Sequence, residues 1–379
     1  MPRVLLLHAT VGTGHKRAAE ALCRAFGQHQ ANDVLVEDVL DHTPWLFRVA
    51  YARSYLELTD HAPLVWGYFY SQTNIDPELA DISNNVRKIV ESIGTNGLKE
   101  VLKRFQPEII ICTHFLPMEL LVRLKLKAKL FQPIYCVITD YAAHTFWTYT
   151  EIDGYFVATE QTCEQLIRRG VQDSQICVSG IPIDPAIAVP KDRDSVRRRR
   201  GLPPDRNLIT LFGGGMITER VRGIVAGLLQ SGAEGMLVVV AGRNAALASA
   251  LADLQCSPTL DLRVLGFVTY VDDLIVASDL VITKAGGLII SEVVARGVPL
   301  VVIDPIPGHE EWNADFVVGS GSGVQLRMAE SVPMTVYRLL RHPDILQDMR
   351  VHAAAVGRPR AALDIAEYIM DDFEQKYRR

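Results

Sequence analysis

Residues 280–313 constrain the architecture more tightly than any other stretch of the chain. An apolar, β-branched run at 280–283 gives way to Gly286-Gly287, then to a helical stretch that ends at Arg296 with Gly297 as its C-cap, then to a second apolar run at 298–303. Two short buried runs joined through a helix make a βαβ unit, and such units build parallel sheets. The glycines sit where the helix begins. Unpaired amide N–H groups and the positive end of the helix dipole face outward there, so a diphosphate can approach the backbone closely. Glu292, about one turn into the helix, is placed to accept two hydrogen bonds from a ribose diol. The loop Pro307-Gly308-His309-Glu310, with Asn313 behind it, is polar and follows a strand, at the edge where open α/β sheets collect ligands. A second reading stays open, an ordinary βαβ unit whose glycines only make tight turns.

Strand and helix signals alternate through nearly all of the 379 residues, a length that exceeds what one core usually serves. Segments 4–8, 34–38, 109–113, 134–139, 154–158 and 176–178 read as strands of a first sheet. Segments 208–212, 236–241, 262–265, 280–283, 300–303 and a weaker one at 323–326 read as strands of a second. Between them, Pro182, Pro185, Pro190, Pro203 and Pro204 surround the run Arg197-Arg198-Arg199-Arg200, which reads as a linker, with or without a short helix. The expected organisation is a first α/β domain over 1–180, a linker over 181–206, a second α/β domain over 207–355 and a last helical segment over 356–379 that can cross back to the first domain. Both domains are expected to be open, doubly wound sheets facing across a cleft.

Composition excludes several classes. Apolar residues at 49% and charged residues at 22% supply a normal core, and no apolar run is long enough for a membrane-spanning helix. The run at 4–7 is too short for a signal-peptide core and reads as the first buried strand. Six scattered cysteines with no CxxC read as reduced thiols of a cytosolic protein, with no zinc site. A net charge of −5 argues against a nucleic-acid partner.

The first strand runs into Thr10-Val11-Gly12-Thr13-Gly14-His15, which opens a helix. The third glycine of a dinucleotide fingerprint is replaced by Arg17, so a nicotinamide cofactor is not expected. His15 lies at the positive helix end, which favours neutral imidazole, the form able to take a proton from a hydroxyl. It can equally be a capping or packing residue.

Four pieces occur in one order: Gly12-Thr13-Gly14-His15; Thr139-Asp140-Tyr141 with His144 and Trp147; Val178-Ser179-Gly180-Ile181-Pro182; and the block from Lys284 to Asn313. In this the chain resembles the GT-B glycosyltransferases of the monogalactosyldiacylglycerol synthase and processive diacylglycerol glucosyltransferase family, relatives of the peptidoglycan glycosyltransferase that makes lipid II. The resemblance implies a GT-B fold and inverting transfer of glucose or galactose from UDP-glucose or UDP-galactose to the hydroxyl of diacylglycerol, giving a β-glycoside. It places the acceptor in the first domain, with Gly12, Gly14, His144 and Trp147 beside it, His15 as first choice for general base and Asp140 as second. It places the donor in the second. There Gly213-Gly214-Gly215 form another turn after a strand, and Gly266-Phe267-Val268 match the position where main-chain groups meet the uracil ring or are a simple strand exit. Arg243 either sets a charge near phosphate or is a solvated loop arginine. Lys284, Gly286, Gly287 and Glu292 hold the nucleotide, and His309, Glu310 and Asn313 the sugar. The family usually has glutamine where this chain has His309, beside the glutamate that contacts the sugar, so donor identity is not carried over.

No cofactor or metal is expected beyond the UDP-sugar itself. Asp192-Arg193-Asp194 has the form of a metal-binding DxD but lies in the charged linker, where chance accounts for it. A bilayer-embedded acceptor implies peripheral association with the inner face of the cell membrane, an anionic surface. Trp45, Leu46, Phe47, Tyr51, Tyr55, Leu56, Leu58, Trp66, Tyr68, Phe69 and Tyr70 are either interfacial anchors or core rings, and the arginine run either attracts anionic lipid or is a solvated face. The competing functions are transfer to a polyprenyl-linked or other lipid acceptor, sugar-nucleotide epimerisation, and non-catalytic UDP-sugar sensing.

Overall fold

A computed structural model of the chain describes residues 2–10, 12–28, 33–45, 47–49 and 96–377. Two compact units emerge: Met1–Ala188, Ile306–Trp312 and Arg360–Arg379 form one, and Val189–Pro305 with Asn313–Pro359 the other.

The first unit is built on a six-stranded sheet of β1 (Arg3–His8), β2 (Asp33–Asp38), β3 (Ile109–Cys112), β4 (Ile134–Val137), β5 (Gly154–Val157) and β6 (Ile176–Val178), in the order β2-β1-β3-β4-β5-β6. Every pairing is parallel. Side chains alternate between two cores, as the strand period of two requires. Leu5, Leu7, Ile110 and Cys112 face one that includes the Phe115–Leu126 helix; Val4, Leu6, Ile109 and Ile111 face the other with the Gly14–Gln28 helix. The chain's last helix, Ala361–Tyr377, completes that second core through Ala362, Ile365, Ala366 and Ile369, and Asp372 accepts a 2.7 Å hydrogen bond from the Tyr135 hydroxyl.

The second unit has β7 (Leu208–Phe212), β8 (Gly235–Val240), β9 (Leu260–Leu265), β10 (Leu280–Lys284), β11 (Leu300–Ile303) and β12 (Gly323–Leu326), ordered β12-β11-β10-β7-β8-β9 and again all parallel. Numbered from its own first strand, this is the 3-2-1-4-5-6 order of the Rossmann fold, whose strand order reverses between β7 and β10. In the first sheet the reversal falls between β1 and β3. Ligands of open α/β sheets bind outside the carboxyl ends of the strands at such points.

Of the two forms the sequence allowed, the proline-rich segment takes the one with a short helix. It forms a short turn at Pro185–Ala188 and a helix at Arg193–Arg200 capped by Asp192, whose carboxylate accepts from the Ser195 amide at 2.8 Å. The DxD string thus contains a helix N-cap. Within the arginine run Arg197 alone is buried, which corrects its reading as a lipid-attracting or solvated residue, while Arg198 and Arg199 keep the exposed face. Arg197 is 1% exposed and donates to the carbonyls of Ala277, Pro203, Pro204 and Arg206 and, at 2.8 Å, to Asp279. Arg199 and Arg200 both bind Asp273, which also receives Lys191. Burial raises the Asp273 carboxyl, but these hydrogen bonds more than offset it and hold it well below the usual carboxylate range.

Candidate active site

In the first unit the carboxyl ends of β1, β3 and β4 converge on one imidazole. Gly12, at φ +96°, turns the chain from β1 into the helix that begins at Gly14, and His15 occupies its first turn. The His15 Nδ1 lies 2.8 Å from the Thr113 carbonyl oxygen, just past β3, and 2.9 Å from the Thr139 hydroxyl, just past β4. The Thr113 hydroxyl donates back to the His15 carbonyl at 2.9 Å. A carbonyl can only accept, so Nδ1 carries the proton and Nε2 keeps the lone pair. Burial lowers the His15 pKa below the ordinary 6.5, with Asp140 and the Thr113 carbonyl pulling the other way. The ring is therefore held neutral by burial, and the Asp140 charge favours its protonated form. His144 is buried and caps the turn Thr145–Trp147, accepting from the Phe146 amide at 3.2 Å. Trp147 is 4% exposed and packs into the core; beside it, Phe146 is half-buried.

Sequence reasoning missed His114. It is 2% exposed, and its ring meets that of His15 edge-on with centroids 4.5 Å apart. The signal was available: like His15, His114 lies in the turn between a buried apolar strand and a helix, at the helix start.

In the second unit the sites expected to bind donor form a continuous rim along the carboxyl ends of β9, β8, β7 and β10. Phe212 and Thr283 are register partners, so the Gly213–Gly215 turn and the Lys284–Gly287 turn leave neighbouring strands together. A Cβ on Gly215 would touch the Lys284 side chain at 3.9 Å. Gly214 packs against the next loop so closely that a Cβ there would lie 2.7 Å from the Ala241 carbonyl oxygen. Arg243 extends from that loop over the ring of Phe267, 4.9 Å from its centroid, and Phe267 is 62% exposed. Gly266 is exposed and Val268 half-buried beside it.

The Gly287–Ala295 helix has Gly286 as N-cap and no side-chain cap, so its first amides remain for a ligand. Glu292, one turn further, is 3% exposed. Asn313 ties its amide to the Ala285 carbonyl at 3.0 Å, and Glu310 accepts from the Ile306 amide at 2.9 Å. Asn313 belongs to the second unit, whereas His309 and Glu310 group with the first.

Substituting Gly214 by alanine should displace the Ala241 backbone and weaken UDP binding about tenfold or more, an overpacking cost of about 1–3 kcal/mol. Titration calorimetry with UDP measures it. Unchanged affinity would remove this turn from the nucleotide site.

A family profile described as monogalactosyldiacylglycerol (MGDG) synthase matches residues 15–183, and the profile of the glycosyltransferase family 28 C-terminal domain matches 209–364. A probable chloroplastic monogalactosyldiacylglycerol synthase of Glycine max is 31% identical over 392 residues, covering 99% of this chain and 72% of that protein. The chain belongs to the MGDG synthase family of glycosyltransferases. Another relative of this family member, a processive diacylglycerol beta-glucosyltransferase of Bacillus pumilus, is 28% identical over 97% of the chain and 94% of its own length. A crystal structure of Acinetobacter baumannii MurG superposes with a TM-score of 0.62 at 17% identity, over 98% of this chain and 100% of that one. The fold of this MGDG-synthase relative is GT-B.

Proposed function

We propose that the protein transfers a hexose from a UDP-sugar to the free hydroxyl of diacylglycerol, with inversion, giving a β-glycosyl-diacylglycerol. The observation that carries this reading is His15: its Nδ1–H is fixed on Thr113, which leaves Nε2 as a base at the switch point of the first sheet, in a chain of this family. The hydroxyl proton passes to Nε2 as the glycerol oxygen bonds to the anomeric carbon, and the bond from that carbon to the diphosphate breaks. Asp140 stabilises the imidazolium. The departing UDP gains negative charge, which the uncapped amides before Ile290 and the positive helix end can meet without a cation. Glu292 takes the ribose, and His309, Glu310 and Asn313 the sugar hydroxyls.

With charge met this way, no metal is needed, and activity in excess chelator is expected to equal that in divalent cation. A loss restored only by a divalent ion would refute the scheme for the leaving group.

Diacylglycerol is confined to bilayers, so the protein works at a membrane surface, on the anionic inner face. Trp45, 72% exposed, suits an interfacial position, and Phe47 packs on the core. The other residues of that aromatic stretch, Leu46, Tyr51, Tyr55, Leu56, Leu58, Trp66, Tyr68, Phe69 and Tyr70, lie outside the described residues. Among the described residues no helix is long and apolar enough to cross a membrane.

Incubation with diacylglycerol vesicles and either UDP-glucose or UDP-galactose, with lipid products read by mass spectrometry and anomeric configuration by NMR, tests the whole reading. A β-hexosyl-diacylglycerol is expected, and which of the two separate incubations yields it identifies the donor. UDP-sugar binding without lipid product would move the function to another acceptor or to sensing.

A further inference from the structure

Next to His15 stands a second imidazole that the scheme above leaves without a task. The Leu116 amide donates to His114 Nδ1 at 3.0 Å, where the side chain caps the Phe115–Leu126 helix. A backbone N–H can only donate, so Nδ1 holds a lone pair and the proton sits on Nε2. The tautomer is thus opposite to that of His15, and the ring is a neutral donor. Its plane is fixed by stacking on Phe115, with centroids 4.4 Å apart and 29° between planes, and by the edge-on contact to His15. Among the described residues, the hydrogen bond of His114 is the one at Nδ1, and none accepts from Nε2.

The two histidines therefore offer one acceptor, His15 Nε2, and one donor, His114 Nε2–H, on adjoining rings. Diacylglycerol carries the complementary pair: a hydroxyl that must give up its proton, and beside it an ester whose oxygens can only accept. The geometry points to His114 as a specificity residue that donates from Nε2 to the ester carbonyl neighbouring the reactive hydroxyl, and so selects an acylated glycerol. This rests on the transfer reading given above.

The test compares kcat/KM for a diacylglycerol and its dialkyl ether analogue of equal chain length, which has the hydroxyl but no carbonyl, in the wild type and in His114→Asn. Asparagine is a strong N-cap, so the helix start is kept while the ring donor is lost. The wild type should prefer the diacyl acceptor about three- to tenfold, the worth of one neutral hydrogen bond. The variant should lose that preference through a higher KM for the diacyl acceptor, with the ether acceptor and the acid limb of the pH profile unchanged. A wild-type ratio near one overturns the inference whatever the variant does. So does a variant that keeps the ratio, or that slows both acceptors equally while moving the acid limb, since His114 would then act only through His15. If His114→Asn does not fold, His114→Ser replaces it. Absence of any hexosyl product from wild type with either UDP-sugar would instead sink the transfer reading, and the inference with it.

Discussion

His15→Ala is expected to lower kcat by about 10²- to 10⁴-fold while leaving UDP affinity unchanged. The base is removed, but the nucleotide rim belongs to the other sheet, and no residue named there depends on the imidazole. Equal loss of kcat and of UDP binding would mean that the substitution disturbs more than proton transfer. The pH profile gives an independent check. Burial, only partly offset by Asp140, sets the His15 pKa below 6.5, so activity should persist as the pH falls through 6.5 and drop only once Nε2 takes a proton. The sign for Asp140→Asn follows. Its carboxylate raises the His15 pKa, so its removal should move the acid limb to lower pH, and kcat should fall because the imidazolium loses its counter-charge. An acid limb that moves upward would contradict this assignment.

Arg197→Ala should be the most damaging single change to the second unit. Arg197 is 1% exposed and its partner Asp279 has a side chain 13% exposed, so solvent screens the pair little. The substitution removes the donor to four carbonyl groups and a charge from beside Asp279. Arg193 and Arg350 remain on that carboxylate, which moderates the effect without replacing the carbonyl bonds. Breaking a buried pair costs about 3–5 kcal/mol, or roughly 6–20 °C in Tm for a unit of this size. Scanning calorimetry measures it, with Arg198→Ala as the control, because Arg198 is exposed and, among the described residues, its side chain reaches Ser195 alone. A loss no greater than the control's would show that the clamp is dispensable.

The two substitutions also mark where the sequence was readable. Both sheets could be read strand by strand, because a parallel sheet covered on both faces needs unbroken apolar runs such as 208–212, ended by Gly213, and 300–303, ended by Asp304-Pro305. The turns at the carboxyl ends of β7 and β10 were readable for a related reason: Gly213–Gly215 and Gly286-Gly287 mark where the main chain lies bare. The arginine run was not. Four adjacent arginines look alike in sequence, and only the phase of the 193–200 helix sends Arg197 inward against Asp279, which is 82 positions away. Trp147 and His114 illustrate the same limit on the acceptor side. Tertiary packing alone decides that the tryptophan fills the core, and a tautomer is fixed by a hydrogen bond that no residue pattern displays.

The helix at Ala361–Tyr377 has a consequence for how the protein is made. Its Ile365, Ala366 and Ile369 belong to the same core as Val4, Leu6 and Leu22, so one face of the first sheet stays uncovered until the ribosome has passed residue 377. His15 is among the first residues synthesised, yet the strand that leads into it waits on the last helix for its packing. During translation the nucleotide-binding sheet, whose strands all lie between Leu208 and Leu326, can close first. The nascent chain is thus expected to be able to hold UDP before the sheet that carries its base has finished folding.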